Sequence, residues 1–333
     1  MNEQAARITE IGTLLSPEKR IDTSFSVIFL KGGKAFKVKR ALRNGFLDYS
    51  TLEKRRAMCE WEFRINSRNS PELYRGVIAA ARGRGGELEL HANAAAPGHD
   101  TVEYLLEMNR FEETMLLSRL AAAGRLTDGL CSDLAGKIAL MHGSSPLVEF
   151  GDYAGNFENV VRIIIRQFSE STVGVIPEKA SPEISAKLLA ALDRCRPVLA
   201  ARAEDGFVRE CHGDLHLGNI CLFNGAPCIF DAVEFNTEFT RIDTLYDIAF
   251  LIMDLHHHGL SGQAGRIMEG YLSGTGTSRE AWEAVMPLYL GLRAVIRCSI
   301  SAGSLRECRS KETAARLREE ALRYFREADG FLS

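Results

Sequence analysis

Asp214, Asn219 and Asp231 stand in the stretch CHGDLHLGNICLFNGAPCIFD, from Cys211 to Asp231, in an order that suits magnesium-assisted phosphoryl transfer. A carboxylate at 214, behind His212 and Gly213, would face the hydroxyl of a phosphate acceptor, orient it and take its proton. Asn219 follows five residues later. A loop of that length can curl back so that the Asn219 amide oxygen and the Asp231 carboxylate approach one cation, and Mg2+ prefers such hard oxygen ligands. Between them, Ile220 to Phe223 and Pro227 to Phe230 read as two short strands around Asn224-Gly225, a strong hairpin dipeptide. The hairpin would return Asp231 to the side of Asn219.

This order resembles the H-x-D-x-x-x-x-N catalytic loop and later metal-binding Asp of protein kinases, with a two-strand spacer between. Closer is the aminoglycoside phosphotransferase family, whose relatives include choline and fructosamine kinases. HGDLHLGN is similar to that family's H-G-D-x-H-x-x-N, and Asp231 is followed by Ala232-Val233-Glu234 in place of the Phe-Gly of D-F-G. Downstream, Asp243-Thr244-Leu245-Tyr246-Asp247-Ile248-Ala249 is similar to D-x-x-x-D-L-A, which opens a large-lobe helix. The resemblance implies an α+β, two-lobed protein-kinase-like fold that binds ATP or another NTP with Mg2+. Asp214 would be catalytic and Asn219 and Asp231 would hold metal. His212 and His216 would brace the loop, Asp243 would support it, and Asp247 would cap the helix. A rival exists, because Gly213-Asp214-Leu215-His216 also resembles the opening motif of two-metal phosphoesterases. Those enzymes need further His motifs, and after His216 the chain has only His256, His257 and His258, adjacent at an expected helix end.

The kinase resemblance requires a strand carrying a lysine and a helix carrying a glutamate. Val27 to Leu30 and Ala35 to Lys39 read as a hairpin, and Ala35-Phe36-Lys37-Val38 resembles the A-x-K element whose lysine reaches nucleotide phosphates. Lys37 is the first choice; Lys39 lies on the same side of a strand, so the two are not separated by pattern. The run from Thr51 to Asn66 is helical, with Ser50 or Thr51 suited to cap it, and Glu62 is the best match for the glutamate. Glu60 lies on nearly the opposite face. Asp22 to Ser26 stands where a phosphate-covering loop would be, without glycines. Val102 to Met108 reads as a strand leading to a helix over Phe111 to Ala123, and in a kinase the backbone near Glu107, Met108 and Asn109 would meet the adenine edge. Helices are expected over Asp128 to His142, Phe157 to Phe168, Pro182 to Arg202 and most of Gly265 to Phe331. The loop-like stretches are Ala80 to Glu87 and Ser169 to Ala186. The expected division is an N-terminal lobe, residues 1–108, and a helical C-terminal lobe, residues 109–333.

At 333 residues and 46% hydrophobic content, the chain can bury a substantial core. Its 41 basic and 44 acidic residues leave a net charge of -3, which argues against nucleic acid as a partner. No membrane span or signal peptide is read. Eight scattered cysteines without a C-x-x-C pair suit reduced thiols in a cytoplasmic protein. The partner expected is a small-molecule acceptor, and similar bacterial domains are often fused to a P-loop ATP-binding domain that would here be a separate partner. Without A-P-E or D-F-G, a protein kinase on the same scaffold is the alternative enzyme, and a nucleotide-binding pseudokinase the alternative outside catalysis.

Overall fold

A computed structural model describes residues 3–43, 47–92, 100–234, 237–306 and 308–333. The chain divides into two compact units, one made of Met1–Ala123, His212–Asp214 and Gly218–Thr240, the other of Gly124–Cys211, Leu215–Leu217 and Arg241–Ser333.

The first unit is built on an antiparallel sheet. Its strands are β1 (Lys19–Asp22), β2 (Ser26–Lys31), β3 (Lys34–Lys39), β4 (Tyr74–Arg82), β5 (Leu88–His91) and β6 (Asp100–Asn109), in the order β1-β2-β3-β6-β4-β5. Alternation along β3 sends Phe36 and Val38 to one face and Lys37 and Lys39 to the other. Helix α1 (Glu3–Leu15) covers the first face, because Ile8, Ile11 and Leu15 recur at helical spacing and pack on Val27, Phe29, Phe36 and Val38. Helix α2 (Leu52–Asn69) lies on the second face; Thr51 caps it by accepting from the Lys54 N–H. The stripe that α2 buries is largely polar, namely Arg55, Cys59, Glu62, Ile65, Asn66 and Asn69. Burial of that kind requires partners, and Arg55 finds one in a bidentate pair with Glu103, at 2.9 and 2.8 Å.

Two expectations for this unit need correction. Ala80 to Arg82 belong to β4, not to a loop, and the helix expected over Phe111 to Ala123 shrinks to a 3-10 turn, Glu113–Met115, and α3 (Leu117–Ala122). The sequence YRGVIAAAR lacks the β-branched alternation of a half-buried strand, so only pairing with both neighbours identifies β4.

The second unit is helical: α4 (Asp128–Ser144), α5 (Tyr153–Ser171), α6 (Ala180–Glu204), α7 (Thr244–His257), α8 (Ser261–Thr275), α9 (Arg279–Ser304) and α10 (Lys311–Phe331). The stretch Ser169 to Ala186, expected as loop, is mostly the end of α5 and the start of α6. β7 (Val208–Glu210) and β10 (Arg241–Asp243) pair in it. α9 is the one described helix long and apolar enough to cross a membrane, yet 61% of its apolar window is buried against its neighbours, as in a core helix. Tyr153, Phe157, Tyr246 and Tyr289 form an aromatic cluster around it.

Candidate active site

The hairpin expected after Asn219 is present as β8 (Ile220–Phe223) and β9 (Ala226–Ile229), turning at Asn224 and Gly225, both at positive φ. Its register pairs Ile220 with Ile229, and the Phe230 N–H donates to the Asn219 carbonyl at 2.9 Å. Asn219 and the residue preceding Asp231 are thus neighbours. The Asn219 amide nitrogen donates to the Asp214 carboxylate at 2.9 Å and to the Asp214 carbonyl at 3.0 Å, which ties the two ends of the loop together.

His212 holds this loop through both ring nitrogens. Nε2 meets the Phe230 carbonyl at 2.9 Å and Nδ1 meets the Asp214 N–H at 3.3 Å. A carbonyl only accepts and an amide N–H only donates, so the ring is neutral with its proton on Nε2. The Val233 N–H returns to the His212 carbonyl at 3.0 Å. Gly213, at φ 83°, has no room for a side chain, because a Cβ there would stand 2.7 Å from the Phe239 carbonyl oxygen.

On the sheet face opposite α1, the two lysines left open by pattern are both engaged. Lys37 Nζ lies 2.8 Å from Glu62 Oε1 and 2.5 Å from Asp231 Oδ1. Lys39 Nζ lies 2.6 Å from Glu62 Oε2 and 2.7 Å from Glu234 Oε1. The Tyr49 hydroxyl donates to the same Glu234 oxygen at 3.1 Å. Glu62 is therefore the residue that faces the lysines, while Glu60 pairs with Arg56 on the exposed side of α2.

Exposure falls along this chain of charges, from 45% at the Asp231 side chain through 11% at Lys37 to 1% at Lys39. Burial would lower the Lys37 pKa, but Asp231 and then Glu62 hold it well above its ordinary value. Burial would likewise raise that of Glu62, yet Lys37 and Lys39 bring it down to about 2. For Glu234 burial prevails and the carboxyl is raised. Asp231 adopts φ 61°, unusual for a residue with a side chain, and its neighbourhood fixes it there. Its N–H donates to the Tyr74 hydroxyl at 3.0 Å, and the Ala232 N–H donates to Asn66 Oδ1 at 3.0 Å.

Beside these charges, Ala35, Leu106, Met108, Cys221 and Cys228 form an apolar cluster with Phe111, Leu116 and Phe230 at its margin. The residues expected at the hinge end β6. Glu107, Met108 and Asn109 lie inside the ladder, paired with β3 and, for the first two, β4. The Asn109 N–H is taken by the Leu73 carbonyl and the Arg110 N–H by that of Gly33. Backbone free of the sheet begins at Phe111.

Three further expected residues lie in the second unit. Asp243, not Asp247, caps α7, accepting from the Leu245 N–H at 2.8 Å, and it also takes a bidentate pair from Arg202, both contacts at 2.7 Å. Asp247 is buried in the first turn of α7 and accepts from His142 Nε2 at 3.1 Å. The His216 ring packs on Phe250 at 5.2 Å. The histidine tract ends α7 before Gly259 at φ 73°, where His257 stacks on Tyr324 at 3.9 Å and pairs with Glu327.

Sequence reasoning missed Glu234, Tyr49, Tyr74 and Asn66. Glu234 had a signal in its place three residues after Asp231, but its partner is known only from the fold.

A sheet-borne lysine paired to a helix glutamate, with an Asp-Asn loop and a following Asp, defines the kinase-like class of phosphotransferases. Residues 84–288 match the Phosphotransferase enzyme family, and the chain belongs to that family. Two solved structures share the kinase-like fold across 98% of this chain. APH(2")-IIia in complex with GDP and kanamycin is 12% identical with a TM-score of 0.56, covered over 98% of its length. Choline kinase from Cryptosporidium parvum Iowa II is 13% identical with a TM-score of 0.55, covered over 97%. Among curated proteins, an uncharacterised protein of Mycobacterium tuberculosis (strain H37Rv) is 26% identical over 287 residues, 84% of this chain and 53% of its own length. The chain thus spans about half the length of the curated relatives it matches.

Proposed function

We propose that this chain is an NTP-dependent small-molecule kinase, with ATP as the donor, that transfers the γ-phosphoryl group to a hydroxyl of an aminoglycoside-, sugar- or amino-alcohol-like acceptor. The observation that carries this reading is the Lys37–Glu62 pair held 2.8 Å apart with Asp231 on the same ammonium. An ammonium with that exposure and two carboxylate partners can exchange one partner for a phosphate without becoming unpaired.

The donor set fits Mg2+. Asp231 offers a carboxylate and Asn219 an amide oxygen, its nitrogen being committed to Asp214; the Lys37 ammonium on Asp231 shows that this carboxylate already accepts a cation. Asn219 and Asp231 would hold Mg2+, which would supply positive charge against the negative charge of the phosphates. Lys37 would hold α- and β-phosphate oxygens, and the apolar cluster near Met108 and Phe111 would receive the base. Asp214 would accept the proton of the acceptor hydroxyl as that oxygen bonds to the γ-phosphorus. The bond from phosphorus to the bridging oxygen breaks, and ADP leaves with the electron pair.

The test is ATP consumption by the wild-type chain against a panel of hydroxylated metabolites and aminoglycosides, with Asp214→Asn as control. Acceptor-dependent ADP release by the wild type that falls about 100-fold or more in the variant is expected. Equal turnover by the two would remove Asp214 from the chemistry, and nucleotide binding with no turnover on any acceptor would favour a sensor.

A further inference from the structure

Glu234 lies outside the kinase motif and Lys39 is the lysine that phosphate contact does not need, yet both belong to the charge network, Lys39 at 1% exposure and Glu234 at 11%. Counted together, Asp231, Glu62 and Glu234 each place one carboxylate oxygen within 4.8 Å of the others' around two ammonium groups. Three anions against two cations leave one negative charge in excess. Lys39 spans Glu62 and Glu234, and exposure rises from 1% at Lys39 and Glu62 and 11% at Glu234 to 45% at Asp231, so the excess is best accommodated at the exposed end, on Asp231.

The same contacts fix geometry. A carboxylate facing one ammonium can turn to offer either or both oxygens. Glu62 cannot, because Lys39 holds Oε2 and leaves only Oε1 for Lys37. Gln4 of α1 holds the other side of Lys39 by donating to its backbone carbonyl at 2.8 Å. Lys39 could reach a solvent-borne phosphate only by abandoning two buried carboxylates, which is strongly unfavourable.

We propose that Lys39 and Glu234 are positioning residues of the nucleotide and metal site. Lys39 neutralises the inner carboxylates so that Lys37 is free to turn to phosphate, and Glu234 sets the net negative charge that Asp231 presents to a divalent cation. The proposal rests on the reading of Lys37 and Asp231 as phosphate and metal ligands. It gives the two variants different signatures. Without Lys39, Lys37 alone must serve three carboxylates and is drawn inward, so nucleotide binding weakens even without metal. Without the Glu234 charge, the cluster is neutral and metal binding weakens while metal-free nucleotide binding does not.

Binding of a fluorescent ATP analogue to the full chain, in EDTA and across a Mg2+ titration, tests this, with thermal melting as a check of folding. Lys39→Met is expected to lose about tenfold in affinity in EDTA, and Glu234→Gln to keep its EDTA affinity while its Mg2+ midpoint rises about tenfold, the lower end of what partners of metal ligands contribute. Mn2+ binding followed by electron paramagnetic resonance, in the presence of the nucleotide, should show the same loss in Glu234→Gln. If Lys39→Met does not fold, Lys39→Arg carries the measurement, with an intermediate loss expected. Folded variants with wild-type affinities and midpoints overturn the proposal. A wild-type chain that binds no nucleotide under either condition overturns the nucleotide reading itself, and is told apart by appearing before any substitution.

Discussion

At the scale of the residue, the decisive contrast is between Glu62 and Glu60, two glutamates on one helix. Glu62 is 1% exposed and serves two lysines, while Glu60 is half exposed and pairs with Arg56. Glu62→Ala removes the shared counter-ion of two buried ammonium groups and should cost about 3–5 kcal/mol of stability, whereas Glu60→Ala should stay within about 0.5 kcal/mol. Urea unfolding of the two variants checks this; equal losses would show that Glu62 does not hold the network. A second contrast separates Asp231 from Asp214. Asp231→Ala should abolish the Mg2+ dependence of nucleotide binding, while Asp214→Ala should bind nucleotide as the wild type does, which isothermal titration in the presence and absence of Mg2+ would show. Residue types in order were enough to single out Asp214, Asn219, Asp231 and Glu62 as candidates. Lys39 was legible only as the alternative to Lys37, and its pairing with Glu234 was beyond that reach, because an ion pair between positions 195 apart leaves no local pattern.

At the scale of the element, what was legible depended on whether a segment's own pattern or its neighbours decided its form. The β8–β9 hairpin follows from Asn224-Gly225 between apolar runs, and the structure has it in that register. β4 and the end of β6 follow from pairing: an alanine-rich strand is stabilised by neighbours on both sides, and the ladder of β6 runs on through Asn109, which moves the free backbone to Phe111. Helix packing was equally hidden. A Cβ at Gly270 would lie 2.8 Å from the Ala135 Cβ, and one at Gly274 2.9 Å from the Ala139 Cβ, so α8 and α4 approach along small residues. Gly265, on the same helix, meets nothing within 4 Å. Gly274→Leu should therefore cost about 1–3 kcal/mol through overpacking, while Gly265→Ala should gain about 0.5–1 kcal/mol from helix propensity. Thermal unfolding of the pair, with shifts of opposite sign, is the check; a neutral Gly274→Leu would mean that α4 and α8 can part without cost.

At the scale of the whole molecule, composition and motif order reached the two-lobed α+β class, since a mixed β-rich part followed by long amphipathic helices admits few arrangements. The assignment of segments to units was less legible: His212–Asp214 and Gly218–Thr240 group with the first unit although helices of the second precede and follow them. Cysteine chemistry offers a readout of both units at once. Of the eight thiols, seven are buried and only Cys308 is partly accessible. Burial also pushes the thiols of Cys59, Cys221 and Cys298 up to about 12, which suppresses the reactive thiolate near neutrality. An aromatic disulfide reagent at about pH 8, where an ordinary thiol with pKa near 8.5 is partly ionised, should thus label one thiol quickly and the remainder only as each unit opens. Cys59, Cys221 and Cys228 belong to the first unit and Cys131, Cys195, Cys211 and Cys298 to the second, so the slow labelling should divide three to four between them. Mass spectrometry of the labelled peptides would assign each phase. Rapid modification of Cys221 or Cys228 would show that the apolar cluster beside Met108 is open to solvent, and would count against its use as a base pocket.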